Sequence, residues 1–202
     1  MQFYESKLRA AWLIGLQPKR DHRGYFMRTF CVQEFAARGL ETNFLQHSVS
    51  CTAVTGSVRG MHFQREPYGE VKLVRCVNGA IWDVIIDIRR GSPTFGQWEG
   101  FELSDQNARQ LYIPPGFAHG FQTLCEDVQV NYLISQFHVP EAASGIRYDD
   151  ASVGIIWPLP VTMISEKDLL WPNLETRMVG DQDDTGNVVT APEHRPRADS
   201  EI

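Results

Sequence analysis

Residues 71–88 read Val71-Lys72-Leu73-Val74-Arg75-Cys76-Val77-Asn78-Gly79-Ala80-Ile81-Trp82-Asp83-Val84-Ile85-Ile86-Asp87-Ile88. Two apolar runs of strand length flank Asn78-Gly79, the dipeptide that most strongly favours a two-residue hairpin turn. In the second run Trp82, Val84, Ile86 and Ile88 fall on one face of an extended chain, and Asp83 and Asp87 fall on the other. This stretch therefore predicts a β-hairpin and sets the expectation for the rest of the chain.

The same texture extends in both directions. Ala11 to Leu16 is an apolar run closed by Pro18 and the charged turn from Lys19 to Gly24. Residues 97–103, 110–113, 118–124 and 128–135 continue the series of short strands, and little between 44 and 140 has helical periodicity. Phe35 to Gly39 reads as the end of a short helix with Gly39 as its stop, and Glu34 and Arg38 stand one turn apart. From Asp149 the chain becomes loops rich in Pro and Trp. Ser165-Glu166-Lys167-Asp168 reads as a capped helix start. Regular short strands of this kind predict an all-β fold, a jelly-roll sandwich or barrel with a few short helices mostly near the C-terminus. Residues 1–175 are expected to form one domain, followed by a polar tail at 176–202.

Composition limits the function. The 202 residues are 43% hydrophobic and 22% charged, ordinary for a folded domain, and the net charge of −6 argues against wholesale attraction to nucleic acid or anionic lipid. No stretch approaches the ~20 apolar residues of a membrane span, and the N-terminus lacks a signal-peptide core. Cys31, Cys51, Cys76 and Cys125 are scattered, three of them in apolar runs, which fits reduced structural thiols and a cytoplasmic location.

The densest chemistry lies in Arg59-Gly60-Met61-His62-Phe63-Gln64, followed by Lys72. Alternation points His62 and Gln64 the same way. A lone histidine there would most often be a core side chain satisfied by a neighbour, but Arg59, Lys72 and His119 accompany it, which favours a functional cluster. His119 sits in Ile113-Pro114-Pro115-Gly116-Phe117-Ala118-His119-Gly120-Phe121, a rigid turn leading into a strand. Tyr132 belongs to an apolar stripe with Val128, Val130 and Ile134, where tyrosine is usually packing. Arg23, next to Tyr25 and Phe26, and Arg59 have the side chain best suited to grip phosphate.

Taken in order, Asp21-His22-Arg23-Gly24-Tyr25-Phe26, Arg59 to Gln64, Lys72-Leu73-Val74-Arg75-Cys76 with Gly79, Ser92-Pro93-Thr94-Phe95-Gly96, Ile113 to Phe121, Gly145 to Asp150, Ile155-Ile156-Trp157-Pro158 and Ser165 to Asp168 resemble the dTDP-4-dehydrorhamnose 3,5-epimerase family over about residues 10–173. The resemblance implies a cupin-like jelly roll that epimerises C3, C5 or both of a dTDP-linked 4-keto-6-deoxyhexose, with no cofactor and no metal. It implies His62 as general base, Asp168 as its paired carboxylate, Lys72 as the cation beside the keto oxygen and Tyr132 as the acid on the opposite face. Arg23 and Arg59 become diphosphate ligands, and Gln46, His119, Phe26 and Lys167 further substrate contacts. Arg28, Ser48 and His138 occupy substrate-site positions where the family usually has Glu, Asn and Tyr. The family's habit also implies a homodimer in which residues near Arg23 reach the partner's site.

The chemistry is self-consistent. A hydrogen beside a ketone is too weakly acidic to leave unaided at neutral pH. A histidine with an ordinary pKa near 6.5 can take it, an ammonium can stabilise the enolate oxygen, and a phenol can return a proton from the other side. Two other readings compete. A metal-dependent cupin oxygenase would have to build its site from His62 and His119, with Gln64 where a second ligand is wanted and Lys72 as a repelling charge. A binding module would hold the nucleotide sugar without turnover.

Overall fold

In a computed structural model of the chain, residues 1–174 are described. In chain order the strands are β1 (Gln2–Glu5), β2 (Trp12–Gly15), β3 (Lys19–Asp21), β4 (Gly24–Phe26), β5 (Gln46–Thr52), β6 (Val58–Gln64), β7 (Lys72–Asn78), β8 (Ala80–Asp87), β9 (Trp98–Ser104), β10 (Arg109–Ile113), β11 (Phe117–Thr123), β12 (Val128–Ile134) and β13 (Ala143–Gly145). Helices α1 (Val32–Ala36) and α2 (Glu166–Leu169) are short. A six-stranded sheet in the order β1-β2-β10-β7-β12-β5 faces a five-stranded sheet in the order β13-β6-β11-β8-β9, and β3 and β4 form a separate ribbon. Every pairing within the sheets is antiparallel. The fold is the jelly-roll sandwich that the strand pattern predicts.

Alternation decides what each strand contributes. Val74, Cys76, Leu111, Val128 and Val130 from the larger sheet meet Ile81, Ile85, Leu103, Phe117 and Phe121 from the smaller one, filling one end of the interior. The outer face of the smaller sheet is also covered. Val84, Ile86, Ala118 and Met61 pack there with Ile146, Val153 and Leu174. The outer face of the larger sheet carries Ile14, Leu73 and Tyr112 against Phe35 of α1.

One expectation changes. Asn78-Gly79 does not close a hairpin: β7 pairs with β10 and β12, whereas β8 pairs with β11 and β9. Gly79 does adopt the left-handed conformation expected of the dipeptide, with φ +79°, but the turn passes the chain from one sheet to the other. Local turn chemistry fixes the bend, and burial decides which strand each arm pairs with. The alternation expected of β8 is present. Asp83 and Asp87 do share a face, but it is the sandwich interior, where both are fully buried.

Gly39 follows α1 at φ +67°, as a helix stop should. The Arg38 guanidinium bonds the Glu34 carbonyl oxygen, while the Glu34 carboxylate pairs with the Met1 amine and with Arg28. Ser165 caps α2 by accepting the Asp168 backbone N–H at 3.1 Å. The expected tail at 176–202 lies outside the described residues.

Candidate active site

At the end of the sandwich that the apolar core leaves unfilled, the two sheets enclose a cavity of about 670 Å3. Its walls are the inward faces of β5, β6, β7, β11 and β12, closed on one side by the segment from Met163 to Trp171. His62, Lys72, Tyr132, Asp168, Gln46, Ser48, Arg59, His119, His138 and Lys167 all line it. The groups expected to act as base, cation and acid therefore face one space.

His62 stands on β6 opposite His119 of β11. The two strands approach closely just beside this pair, where a Cβ added to Gly60 would lie 2.5 Å from the Gly120 Cα. Capped α2 then delivers Asp168 beneath His62, with 2.6 Å between Oδ1 and the imidazole Nε2. Asp168 Oδ1 also accepts the indole N–H of Trp171 at 3.1 Å. The Gly60 backbone N–H lies 3.5 Å from its Oδ2. Burial works against the Asp168 carboxylate, yet the hydrogen bonds from His62 and Trp171 outweigh it and hold the carboxyl below its ordinary value.

A second pair lies deeper. His119 Nε2 is 2.7 Å from Oδ1 of fully buried Asp83, and its ring meets Tyr132 edge-on with 6.4 Å between centroids. The Tyr132 hydroxyl is 3.3 Å from Ser50 Oγ. Burial raises the phenol pKa well above its usual value, so the group stays protonated throughout the neutral range.

Lys72 is nearly buried and ion-paired with Glu70 at 2.9 Å. Glu70 Oε2 accepts from Gln64 Nε2, and the same amide group donates to the carbonyl oxygens of Tyr68 and Phe137. The ammonium is thus held by a fixed carboxylate. Arg59 is tied to the rim by Nε to Thr52 Oγ1 at 2.8 Å and a terminal N–H to the Cys51 carbonyl oxygen.

Three expected ligands lie elsewhere. Arg23 on the β3–β4 ribbon is solvent-exposed and pairs with Asp21. Phe26 is 73% exposed, and Arg28 pairs with Glu34. None of the three lines this chain's cavity.

Sequence reading missed Glu70, Asp83 and Trp171 as site residues. Glu70 precedes Lys72 by two, the spacing that puts residues on one side of an extended chain. Trp171 follows Asp168 by three, the spacing that places side chains together at a helix end. Asp83 shares the inward face of β8 with buried isoleucines.

Among the described residues, no three His, Cys, Asp or Glu side chains converge as metal ligands would. Of the three histidines that line the cavity, His62 and His119 already engage an aspartate. The metal-dependent reading therefore lacks a donor set.

A family model described as dTDP-4-dehydrorhamnose 3,5-epimerase matches residues 5–176. A dTDP-4-dehydrorhamnose 3,5-epimerase of Methanothermobacter thermautotrophicus is 45% identical over 182 residues, 88% of this chain and 97% of that protein. The crystal structure of the Bacillus anthracis enzyme of that name, with TDP and PPi bound, superimposes with a TM-score of 0.83 at 37% identity, covering 85% of this chain and 98% of the other. The Legionella pneumophila dTDP-6-deoxy-D-glucose-3,5-epimerase, in complex with dTDP-4-keto-L-rhamnose, gives a TM-score of 0.82 at 35% identity over 86% and 93% of the two chains.

Proposed function

Since the chain belongs to the dTDP-4-dehydrorhamnose 3,5-epimerase family, we propose that it inverts C3, C5 or both of a dTDP-linked 4-keto-6-deoxyhexose through an enolate. The observation that carries this reading is the convergence of His62, Lys72 and Tyr132 on one cavity, with Asp168 fixed beneath the histidine.

Asp168 engages Nε2 of His62, so Nδ1 takes the proton from the carbon beside the ketone. The aspartate keeps the tautomer and stabilises the imidazolium that forms. The Lys72 ammonium, in a site of low dielectric, meets the negative charge as it develops on the keto oxygen. The neutral Tyr132 phenol returns a proton from the opposite face, which inverts the centre. Each step moves one proton, and the sum is an isomerisation without net oxidation. Gln46, Ser48, His119, His138 and Lys167 are placed to contact the sugar nucleotide, with Arg59 on its diphosphate.

The working form is a homodimer in which the β3–β4 ribbon of one protomer reaches the other's cavity with Arg23, Phe26 and Arg28. Support comes from the exposure of Tyr25 and Phe26, 53% and 73%, on a ribbon that lines no cavity of its own chain. Mixing Arg23→Ala with His62→Ala protomers then restores activity that neither variant has alone; no restoration counts against the exchange. The place of action is the cytoplasm, a reading supported by four unpaired cysteines.

The test is incubation with dTDP-4-keto-6-deoxyglucose in deuterated water, followed by NMR. Deuterium enters at C3, C5 or both, and the number of labelled carbons gives the number of centres inverted. Incorporation at neither carbon overturns the reading.

A further inference from the structure

Trp171 touches both halves of the His62–Asp168 pair. Its indole N–H donates to Asp168 Oδ1, the same oxygen that lies 2.6 Å from His62 Nε2. Its ring stands edge-on to the imidazole at 72°, with 6.4 Å between centroids. The Lys167 ammonium lies 5.6 Å from the indole centroid. Beneath the indole is Gly145, the cross-strand partner of His62. A Cβ at position 145 would fall 2.6 Å from three indole atoms, so the ring lies flat against bare backbone.

This arrangement is more specific than packing requires. A carboxylate oxygen shared between two N–H donors gives less of its charge to each. The Oδ1 that would otherwise serve His62 alone is divided, and the indole wedged on Gly145 has no room to swing away. The donors to Asp168 already hold its carboxyl low in spite of burial.

We propose that Trp171 is a positioning residue for the His62–Asp168 pair: its indole N–H fixes Asp168 and weakens the carboxylate's stabilisation, through Nε2–H, of the imidazolium that forms when His62 takes up a proton at Nδ1. The base then releases its proton readily between turnovers instead of staying as an ion pair. The inference rests on His62 and Asp168 acting as proposed above.

Trp171→Phe keeps an aromatic ring and removes only the donor. The imidazole of His62 is titrated by NMR in ligand-free protein, beside the pH dependence of deuterium incorporation. The other charged or titratable groups lining the cavity with His62 are Asp168 and Lys167 from α2, Arg59 from β6, His119 from β11, Lys72 from β7, Tyr132 from β12, and Glu70 and His138 from the connecting loops. All are common to wild type and variant. The expected result is a His62 midpoint raised by at least about half a pH unit, the scale of one lost hydrogen bond. The acid limb of kcat moves with it. Gly145→Ala, which pushes the indole off Asp168 while leaving it in the chain, gives the same upward shift and serves if Trp171→Phe does not fold. An unchanged or lowered midpoint in the folded variants overturns the proposal. Absence of deuterium incorporation by the wild type would overturn the epimerase reading instead, and the ligand-free titration would still decide the role of Trp171.

Discussion

His62 Nε2 and Asp168 Oδ1 lie 2.6 Å apart although 106 positions separate them in the chain. His62 comes from a core strand, and Asp168 from a one-turn helix whose cap, Ser165, accepts the Asp168 backbone N–H. Asp168→Asn therefore preserves the cap while removing the charge that stabilises an imidazolium. It is expected to lower kcat by roughly 10²–10⁴-fold, the usual contribution of an organised acid–base group, with thermal stability near that of the wild type. Initial rates of deuterium incorporation and a melting curve check both halves. A variant with full activity would leave His62 without need of its partner.

In the proposed mechanism Tyr132 separates removal of a proton from its return. Tyr132→Phe keeps the apolar stripe of β12 and deletes the hydroxyl that faces Ser50. Abstraction by His62 remains possible, so solvent deuterium still enters the sugar, but by return to the original face. NMR of the product is expected to show exchange with retained configuration, and net inversion reduced by roughly 10²–10⁴-fold. Loss of exchange and inversion in equal measure would assign Tyr132 to binding.

The strands and the cluster of Arg59, His62, Lys72 and His119 were legible in local sequence, whereas Tyr132 and Asp168 entered the site only through the family resemblance. Alternation along β6, β7 and β12 puts His62, Lys72 and Tyr132 on inward faces, and the structure brings all three to one cavity. Pairing was not legible. Asn78-Gly79 specifies a tight turn with positive φ, but two arms that each have an inner and an outer apolar face can belong to different sheets. Alternation put Asp83 and Asp87 on one face of β8 without deciding which, since acidic residues at alternate positions look the same whether they meet water or buried donors. Arg23 was legible by side-chain type, and Phe26 and Arg28 only through the family resemblance; long-range packing places all three away from this chain's cavity.

Lys72 and Glu70 are both nearly buried, so each charge depends on the other. Lys72→Met abolishes the proposed enolate stabilisation and also strands the Glu70 carboxylate, which keeps only its bond from Gln64. Breaking a buried pair from one side costs ~3–5 kcal/mol, largely because the remaining charge is uncompensated. Lys72→Met/Glu70→Gln, with no charge left, is expected to regain most of that stability in urea denaturation while remaining inactive. If the double variant is less stable than Lys72→Met alone, the carboxylate is satisfied without the ammonium.

Asp87 gives the fold a pH signature at a position outside the active site. It is fully buried at the end of β8. Burial alone would raise its carboxyl, but Arg89, Ser92 and Thr94 donate to its two oxygens at 2.6–3.0 Å and bring it down to about 2 from an ordinary 3.8. A carboxyl depressed in the folded state stabilises the protein above the unfolded value, and that stabilisation disappears as pH falls through the folded value. Asp87→Asn is therefore expected to cost about 2 kcal/mol or more at pH 7. The gap to the wild type should narrow as pH falls from about 4 to about 2, because the wild-type aspartate then takes up a proton and loses its own ionic bonds. Chemical denaturation of both proteins across that interval measures the gap. A gap that stays constant to the acid end would mean that shape and neutral hydrogen bonds hold the loop, and that the charge on Asp87 contributes nothing to stability.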